Sequence, residues 1–540
     1  MATGTSLIDS YQKADALLSK GELQQAADIC KQMLDSNPNF AYGYHLMASL
    51  FKVTGNFEKA LNFAELAIKL DPNVPSFYLQ RGALLMSLQC YEAAEDMFRK
   101  AYQMKPDLVQ ALLMSADACV HQGRYEDAAR FFAIARSRAA NDEQADIDQQ
   151  EGICQLAQGH IQRAEALFDR VIAQRPSQAD GYLHKGRILL HQHRDQEAEV
   201  CYARALNCNP HLQEALHGMA VVNERQGQLD TAVAFAIQAV SAHGTVLDSL
   251  LLLGQLLLRK QNWSSAEQIF RQALAVVPEQ LLALHGLAKS LLAQRRQAEL
   301  RVFLDEQQAT FPDNAMIQFL ATALSGRSPA RPPQQLVASY YDELARRYNY
   351  FLQPHEMYQP QHAVEILRAL PQLQGRTGLS LADLGCGDGR FSAALGDLVE
   401  SRLGVDLSRA MLDLAQVHRR YYETYTLDMV EFAMGSDRMF DVVAAFGVLA
   451  HLGDLEPFFR AARNLLASSS VMLFTIEKST SSDPYTLRPN GRYAHQPAFI
   501  HTLLQDHGYN CIHSEEVLLR LEAGVPVMGM VYVVQKMTVH

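Results

Sequence analysis

Nothing in these 540 residues reads as low complexity, as a membrane span or as a basic surface, and each lack removes a class of function. With 20% charged and 48% hydrophobic residues the composition is that of an ordinary globular chain, which argues against long disorder. A formal net charge of -11 leaves no excess of Lys and Arg on which phosphate-backbone binding draws, so nucleic acid is not an expected partner. The eight cysteines are scattered, without Cys-x-x-Cys or a Cys/His cluster at zinc spacing. No metal site is expected, and the thiols read as reduced, in a cytoplasmic location. From Met1 to Lys20 no positive start precedes an apolar stretch, so no secretory signal is seen. The most apolar window, Val246 to Leu258, is broken by Asp248, Ser249, Gly254 and Gln255. That pattern predicts a buried helix and no membrane insertion. The length exceeds one hydrophobic core, and at about 150 residues per domain it allows about three packing units unless a repeat is present.

A repeat is present. A turn residue recurs at Gly21, Gly55, Gln89, Gly123, Gly159, His193, Gly227, Gln261 and Arg295, at gaps of 34 residues except one of 36, where Asn141 to Asp146 carry extra length. Five positions after each turn stands a small or apolar residue: Ala26, Ala60, Ala94, Ala128, Ala164, Ala198, Ala232, Ala266 and Leu300. Small side chains there let two antiparallel helices approach closely. Four residues on, along the same helical stripe, come Cys30, Ala64, Phe98, Phe132, Phe168, Tyr202, Ala236, Phe270 and Leu304. Seventeen positions after most turns a proline (Pro38, Pro72, Pro106, Pro176, Pro210, Pro278, Pro312) stops the second helix.

This spacing resembles the tetratricopeptide repeat over about residues 7 to 314, with Asn314 to Leu324 as a closing helix. The resemblance implies an all-α superhelical solenoid, residues 7–324, with a concave groove that takes a protein or peptide partner. Some members of the family clamp C-terminal carboxylates with Lys, Arg and Asn in that groove. By register the corresponding positions here include Tyr11, Asp15, His45, Ser49, Gln80, Asp117, His184, His217, Gln255, His285 and Lys289, which form no such clamp. The alternative is that the groove packs against the C-terminal domain or a second copy of the chain, making a homo-oligomer.

Three prolines and a glycine in Ser325 to Gln335 preclude regular structure and mark a linker, residues 325–335. Beyond it short β-branched runs alternate with helical patterns, so residues 336–540 are expected to form an α/β sheet domain. In LSLADLGCGDGRFSAAL, Leu379 to Leu395, an apolar strand ends at Asp383 and passes through Gly385, Gly387 and Gly389 into a helix. Such a loop lets the backbone approach a bound ligand. Asp406 ends the next strand, placed to accept hydrogen bonds from ribose hydroxyls. A dinucleotide fingerprint would require a small residue where Arg390 stands, which disfavours a dehydrogenase.

LADLGCGDG, GVDLS with its following Met-Leu, YTLDM and FDVVAAFGVLAHLGDL together resemble the class I S-adenosylmethionine-dependent methyltransferases over about Tyr340 to Gln535. A later GRYAH, Gly491 to His495, and a Tyr-rich lead from Tyr340 to Tyr348 resemble bacterial members already fused to tetratricopeptide repeats. The resemblance implies a Rossmann-like sheet of seven strands with an antiparallel last strand, here Val527 to Val534, and S-adenosyl-L-methionine as cofactor. It implies that Asp383, Gly385, Cys386, Gly387 and Gly389 line the methionine end and that Asp406 binds the ribose. Leu407 and Met411 would flank the adenine, Asp428 would reach its amino group with Met429 beside it, and Phe446 would close the site. In similar methyltransferases the Tyr-rich lead folds over the cofactor as a lid, which implies that Tyr348 would touch it. The bland reading of Asp406 and Asp428 is turn or helix capping. Cys386 reads as a small spacer.

Candidates for proton transfer are His451, Tyr493 and His495, with Asp454, Glu477 and Arg492 on the same loops at the carboxyl ends of strands four and five. No Asn or Asp followed by Pro-Pro-Tyr appears after strand four, which disfavours a nucleobase target. The expected function is methylation, on oxygen or nitrogen, of a protein or protein-bound acceptor recruited by the solenoid. The alternatives are a small-molecule methyltransferase whose repeats serve assembly, and a scaffold without activity.

Overall fold

A left-handed backbone residue closes every expected helical hairpin. In the computed structural model, which describes residues 7–346, 360–417, 419–522 and 525–537, the turn residues from Gly21 to Arg295 all take positive φ, between 56° at Gln261 and 79° at Gly21. Glycine adopts this conformation freely, whereas a residue with a β-carbon is strained there by roughly 1 kcal/mol. Gln261→Gly or Arg295→Gly should therefore raise stability by about 0.5–1 kcal/mol, and Gly227→Ala should lower it. Thermal midpoints that do not move in these opposite directions would contradict the turn assignment.

The chain divides into two compact units, residues 1–210 and 211–540. The first holds helix pairs from Leu7–Ser19 with Leu23–Ser36 to Ala179–His191 with Asp195–Cys208, and the extra length is a 3-10 turn at Asn141–Glu143. The second begins with the pairs Gln213–Arg225 with Leu229–Ala242, Leu247–Arg259 with Trp263–Val276, and Leu281–Ala293 with Gln297–Thr310. Ala315–Leu324 closes the array, its first amides accepted by the Asn314 side chain. Within each unit the predicted small residues and Leu300 are fully buried. The aromatic four residues later lies on a helical glycine: Phe98 on Gly82, Phe168 on Gly152, Tyr202 on Gly186, and Phe270 between Gly254 and Gly286. A β-carbon at Gly254 would stand 2.6 Å from the Phe270 ring, so these glycines make room for the aromatics.

After helix Gln334–Arg346 and helix Pro360–Ala369 the chain enters a sheet of β1 (Leu379–Leu384), β2 (Val399–Asp406), β3 (Glu423–Thr426), β4 (Phe440–Ala445), β5 (Leu466–Lys478), β6 (Tyr485–Leu487), β7 (Tyr493–His495), β8 (Tyr509–Glu522) and β9 (Val525–Lys536). β3-β2-β1-β4-β5 are parallel neighbours; β9 pairs antiparallel with β5 and β8 pairs antiparallel with β9. Those strands are the expected seven, with the last antiparallel. Among the described residues the sheet has nine strands because a short hairpin, β6 and β7, is added. β7 pairs with Glu477 and Lys478 of β5, past the point where β4 ends opposite Phe474.

Alternation in β4 sends Val442 and Ala444 into one core and Val443 and Ala445 into the other, the continuous apolar run of a strand covered on both faces. The fold is thus an all-α repeat array followed by a Rossmann-like sheet domain. Residues 325–333 are irregular, whereas the last two residues of the expected linker already belong to helix Gln334–Arg346, and the segment is no free tether. Ala330 O accepts from Gly453 N and Asp454 N, and Ser328 Oγ accepts from Leu487 N at 2.9 Å.

Candidate active site

The carboxyl ends of β1, β2, β4 and β5 open on a cavity of about 1310 Å³ whose other wall is built by the last helix pairs of the same unit. That exceeds the roughly 300–1,000 Å³ of a pocket for one small ligand. At its floor the amides of Gly385 and Cys386 both donate to Val405 O, which ties the loop after β1 to β2. Gly385 (φ +72°) leaves no space for a β-carbon, which would collide with Val448. At Gly387 (φ +53°) nothing stands within 4 Å, so its backbone faces open space. A β-carbon at Gly389 would stand 2.7 Å from the Tyr421 ring, so this glycine serves helix packing behind the loop.

Asp406 holds the loop from the neighbouring strand end. Its Oδ2 accepts from Gly387 N at 2.8 Å and its Oδ1 from Ser408 N at 2.9 Å. Each carboxylate oxygen keeps a further lone pair. Asp383 is buried and accepts from the Tyr421 hydroxyl at 2.6 Å. Burial pushes its pKa up to about 7, with Asp406 and Asp388 adding to the rise and the Tyr421 bond opposing it. Burial, then Asp383 and Asp406, raise the Cys386 thiol well above its ordinary value, which fits a spacer and not a nucleophile.

Of the residues the sequence assigns to a cofactor, Asp383, Gly385, Cys386, Gly387, Asp406, Leu407, Met411, Asp428, Met429 and Phe446 line the cavity. Gly389 stands behind it, and Tyr348 lies outside the described residues. Phe446 stacks on Phe391 with ring centroids 5.0 Å apart. Asp428 caps helix Met429–Gly435 through Val430 N (2.9 Å) and Glu431 N (3.3 Å), and Arg331 of the linker pairs with it at 3.2 Å. Capping is thus an established role for this carboxylate.

His451 sits in a 3-10 turn after β4, its Nε2 2.7 Å from the Tyr341 hydroxyl. Burial, then Arg492 and Arg520, depress its pKa to about 3, so the imidazole is neutral at neutral pH. The structure does not bring Tyr493 and His495 to the cavity, which corrects their expected placement. Both are buried in β7, all of whose residues are covered: Tyr493 packs with Ala323 and Leu487, and His495 has Nε2 3.0 Å from Gly453 O. Burial raises the Tyr493 phenol and lowers His495 to about 4.

Several wall residues were not singled out by motif. Asp342 in helix Gln334–Arg346 accepts from Ser408 Oγ at 2.6 Å and from Ala410 N at 3.1 Å, capping helix Arg409–Val417 and fixing Tyr341 beside His451. Its only signal in sequence is the amphipathic pattern of YYDELARR. Groove positions Gln255, His285 and Lys289 line the cavity, and His285 stacks on Tyr340 with centroids 5.1 Å apart. At this end Glu477, 1% exposed, meets Arg520 (2.6 Å), Arg492 (2.9 Å) and Arg488 (3.1 Å). Glu522 accepts from Asn490 Nδ2 at 2.8 Å and pairs with Arg520 Nη2 at 3.0 Å. Among the described residues no group of three or more His, Cys, Asp or Glu could hold a metal, and no helix is long and apolar enough to cross a membrane.

This loop, sheet order and array agree with the family comparisons. A family model described as a methyltransferase domain matches residues 382–472, and models described as tetratricopeptide repeats match 41–74, 85–146, 151–212 and 251–299. The chain joins tetratricopeptide repeats to a methyltransferase domain. It is 24% identical over 360 residues to tetratricopeptide repeat protein 16 of Mus musculus, covering 60% of this chain and 45% of that protein. It is 25% identical over 179 residues to the ubiquinone biosynthesis O-methyltransferase of Colwellia psychrerythraea, covering 29% of this chain and 71% of that one. The chain thus spans less than half the length of the mouse relative. Similar solved structures include the magnesium protoporphyrin IX methyltransferase (ChlM) from Synechocystis with bound SAM, at TM-score 0.30 and 17% identity over 39% of this chain and all (100%) of that one. The Cut9-Hcn1 structure reaches TM-score 0.38 and 17% identity, over 53% of this chain and 55% of that one.

Proposed function

We propose that the chain is a cytoplasmic S-adenosylmethionine-dependent methyltransferase whose repeats bring a protein or protein-bound acceptor to the sheet domain for methylation on oxygen or nitrogen. The observation that carries this reading is the Asp406 carboxylate, which holds the open amide of Gly387 at the carboxyl edge of a parallel sheet while facing the cavity. The residues fit the cofactor. Gly387 leaves its face clear, Asp406 keeps lone pairs for two ribose hydroxyls, and Leu407, Met411 and Met429 offer apolar walls to an adenine that Asp428 can reach. When bound, S-adenosylmethionine supplies an electrophilic methyl carbon. The chain's part is chiefly positioning, because an in-line displacement gains most from near-attack geometry. The Tyr341 and His451 pair lies on the cavity wall, where an imidazole of such low basicity serves to hydrogen-bond and orient the acceptor and not to take its proton.

Incubation of the full chain with radiolabelled S-adenosylmethionine and fractionated lysate tests the reading. Label in precipitable protein supports it, and no transfer to any fraction contradicts it. Label in small solutes would favour the second reading, a small-molecule enzyme. That reading is supported by Gln255, His285 and Lys289, which take part in the cavity wall where a peptide groove was expected.

Asp383 gives a pH prediction. With a pKa raised to about 7 it is protonated in the free protein below that pH, and a cationic methionyl group favours its ionised form. S-adenosylmethionine affinity should rise with pH, by up to roughly tenfold per unit below about 7, and level off above. Calorimetry from pH 5.5 to 8 checks this, and an affinity that is flat or falls over that range contradicts it.

A further inference from the structure

The far end of the cavity gathers positive charge among the described residues. Around it, among the described residues, Arg488, Arg492, Arg520 and Lys289 face the carboxylates of Glu477 and Glu522. Those carboxylates are already engaged. Glu477 Oε1 takes Arg520 at 2.6 Å and Oε2 takes Arg488 at 3.1 Å, while both oxygens of Glu522 accept from Asn490 Nδ2, at 2.8 and 2.9 Å.

Arg492 is different. Its Nε lies 2.9 Å from Glu477 Oε1 without the geometry of a hydrogen bond, and among the described residues no other acceptor takes one from its guanidinium. Yet the side chain is only 26% exposed and lines the cavity. It is held by the hairpin between β6 and β7, where Arg488 N donates to Arg492 O at 2.8 Å and Asn490 Oδ1 accepts from Arg492 N at 3.0 Å. The neighbouring Gly491 packs on Phe319 of the closing repeat helix. With its backbone so fixed, a guanidinium on the cavity wall with its fork unfilled is a ready donor for a planar or tetrahedral oxyanion.

We propose that this end of the cavity, with Arg492 as its anchor and Lys289 contributed by the repeat helix Leu281–Ala293, binds an oxyanion, carboxylate or phosphate, carried by the methyl acceptor. The inference rests on the methyltransferase reading for the word acceptor alone. It makes the last repeats part of substrate recognition.

The test uses the full chain saturated with S-adenosylhomocysteine, titrated with benzoate, with phenyl phosphate and with uncharged benzamide. Calorimetry and the fluorescence of Trp263, the single tryptophan and a cavity-wall residue, report binding. At least one anion should bind more tightly than benzamide, and whichever binds better identifies the oxyanion. Arg492→Met should weaken that anion about 30-fold or more, and Arg492→Lys less. S-adenosylhomocysteine affinity should stay within about twofold in both variants, by the ordinary scatter of distant sites. Equal binding of benzamide, no binding of either anion, or anion affinity unchanged in Arg492→Met would overturn the proposal. A parallel fall in S-adenosylhomocysteine affinity would also overturn it, by assigning Arg492 to the cofactor's own carboxylate. If the wild type fails to bind S-adenosylhomocysteine, the methyltransferase reading fails first. The anion titration on the ligand-free chain then decides the oxyanion site by itself.

Discussion

Asp406→Ala is expected to weaken S-adenosylmethionine binding about 100-fold or more. Two hydrogen bonds from ribose hydroxyls to a charged carboxylate contribute about 1.5–3 kcal/mol each, and the loss of about 3 kcal/mol already exceeds a hundredfold in affinity. The same carboxylate accepts from Gly387 N and Ser408 N, so its removal also loosens the loop that shapes the floor of the site. Asp406→Asn keeps one acceptor oxygen and should lose less. Calorimetry on full chains with unchanged circular dichroism makes the comparison, and affinity within a few-fold of wild type in Asp406→Ala would remove the ribose assignment.

Glu477→Ala carries the second large effect, on stability. Glu477 is 1% exposed and stands among Arg488, Arg492 and Arg520, whose own exposures of 32%, 26% and 15% leave them partly desolvated. Removing the one carboxylate they share leaves Arg488 and Arg492 without a carboxylate and Arg520 with Glu522 alone, which costs up to about 3–5 kcal/mol, the cost of a buried pair broken on one side. Glu477→Gln retains volume and one acceptor and should cost less. Denaturant unfolding of the full chain, followed by near-ultraviolet circular dichroism, should show the loss. A midpoint for Glu477→Ala equal to wild type would mean that water already screens the cluster.

What could be read from residues alone follows from how local each determinant is. The repeat was legible because Gly21, Ala26, Cys30 and Pro38 and their counterparts act within one hairpin, and register alone placed even Gln89, His193, Gln261 and Arg295 at turns, where the structure shows positive φ against their own propensity. The loop from Asp383 to Gly389 was legible for the same reason, since strand end, turn and helix start are contiguous.

Tyr493 and His495 were not. They are neighbours of Arg492 in sequence, but all three residues of β7 are buried, and the partners that cover Tyr493 and His495, Ala323 and Gly453, lie far away in the chain. The basic cluster was equally hidden. Glu477, Arg492 and Arg520 meet only because β7 and β9 both pair with β5, and because β8 then pairs with β9. Composition likewise predicted irregular backbone at 325–335, two residues too far, and did not disclose its hydrogen bonds to Gly453, Asp454 and Leu487, which depend on distant partners.

A crystal structure of the full chain with S-adenosylmethionine is the most direct test of the account. It should place both ribose hydroxyls within hydrogen-bond distance of Asp406, the methionyl end over Gly387 beside Asp383, and the methyl group facing Tyr341 and His451. A nucleoside bound elsewhere, or a crevice after β1 that stays closed by side chains at saturating ligand, would contradict it.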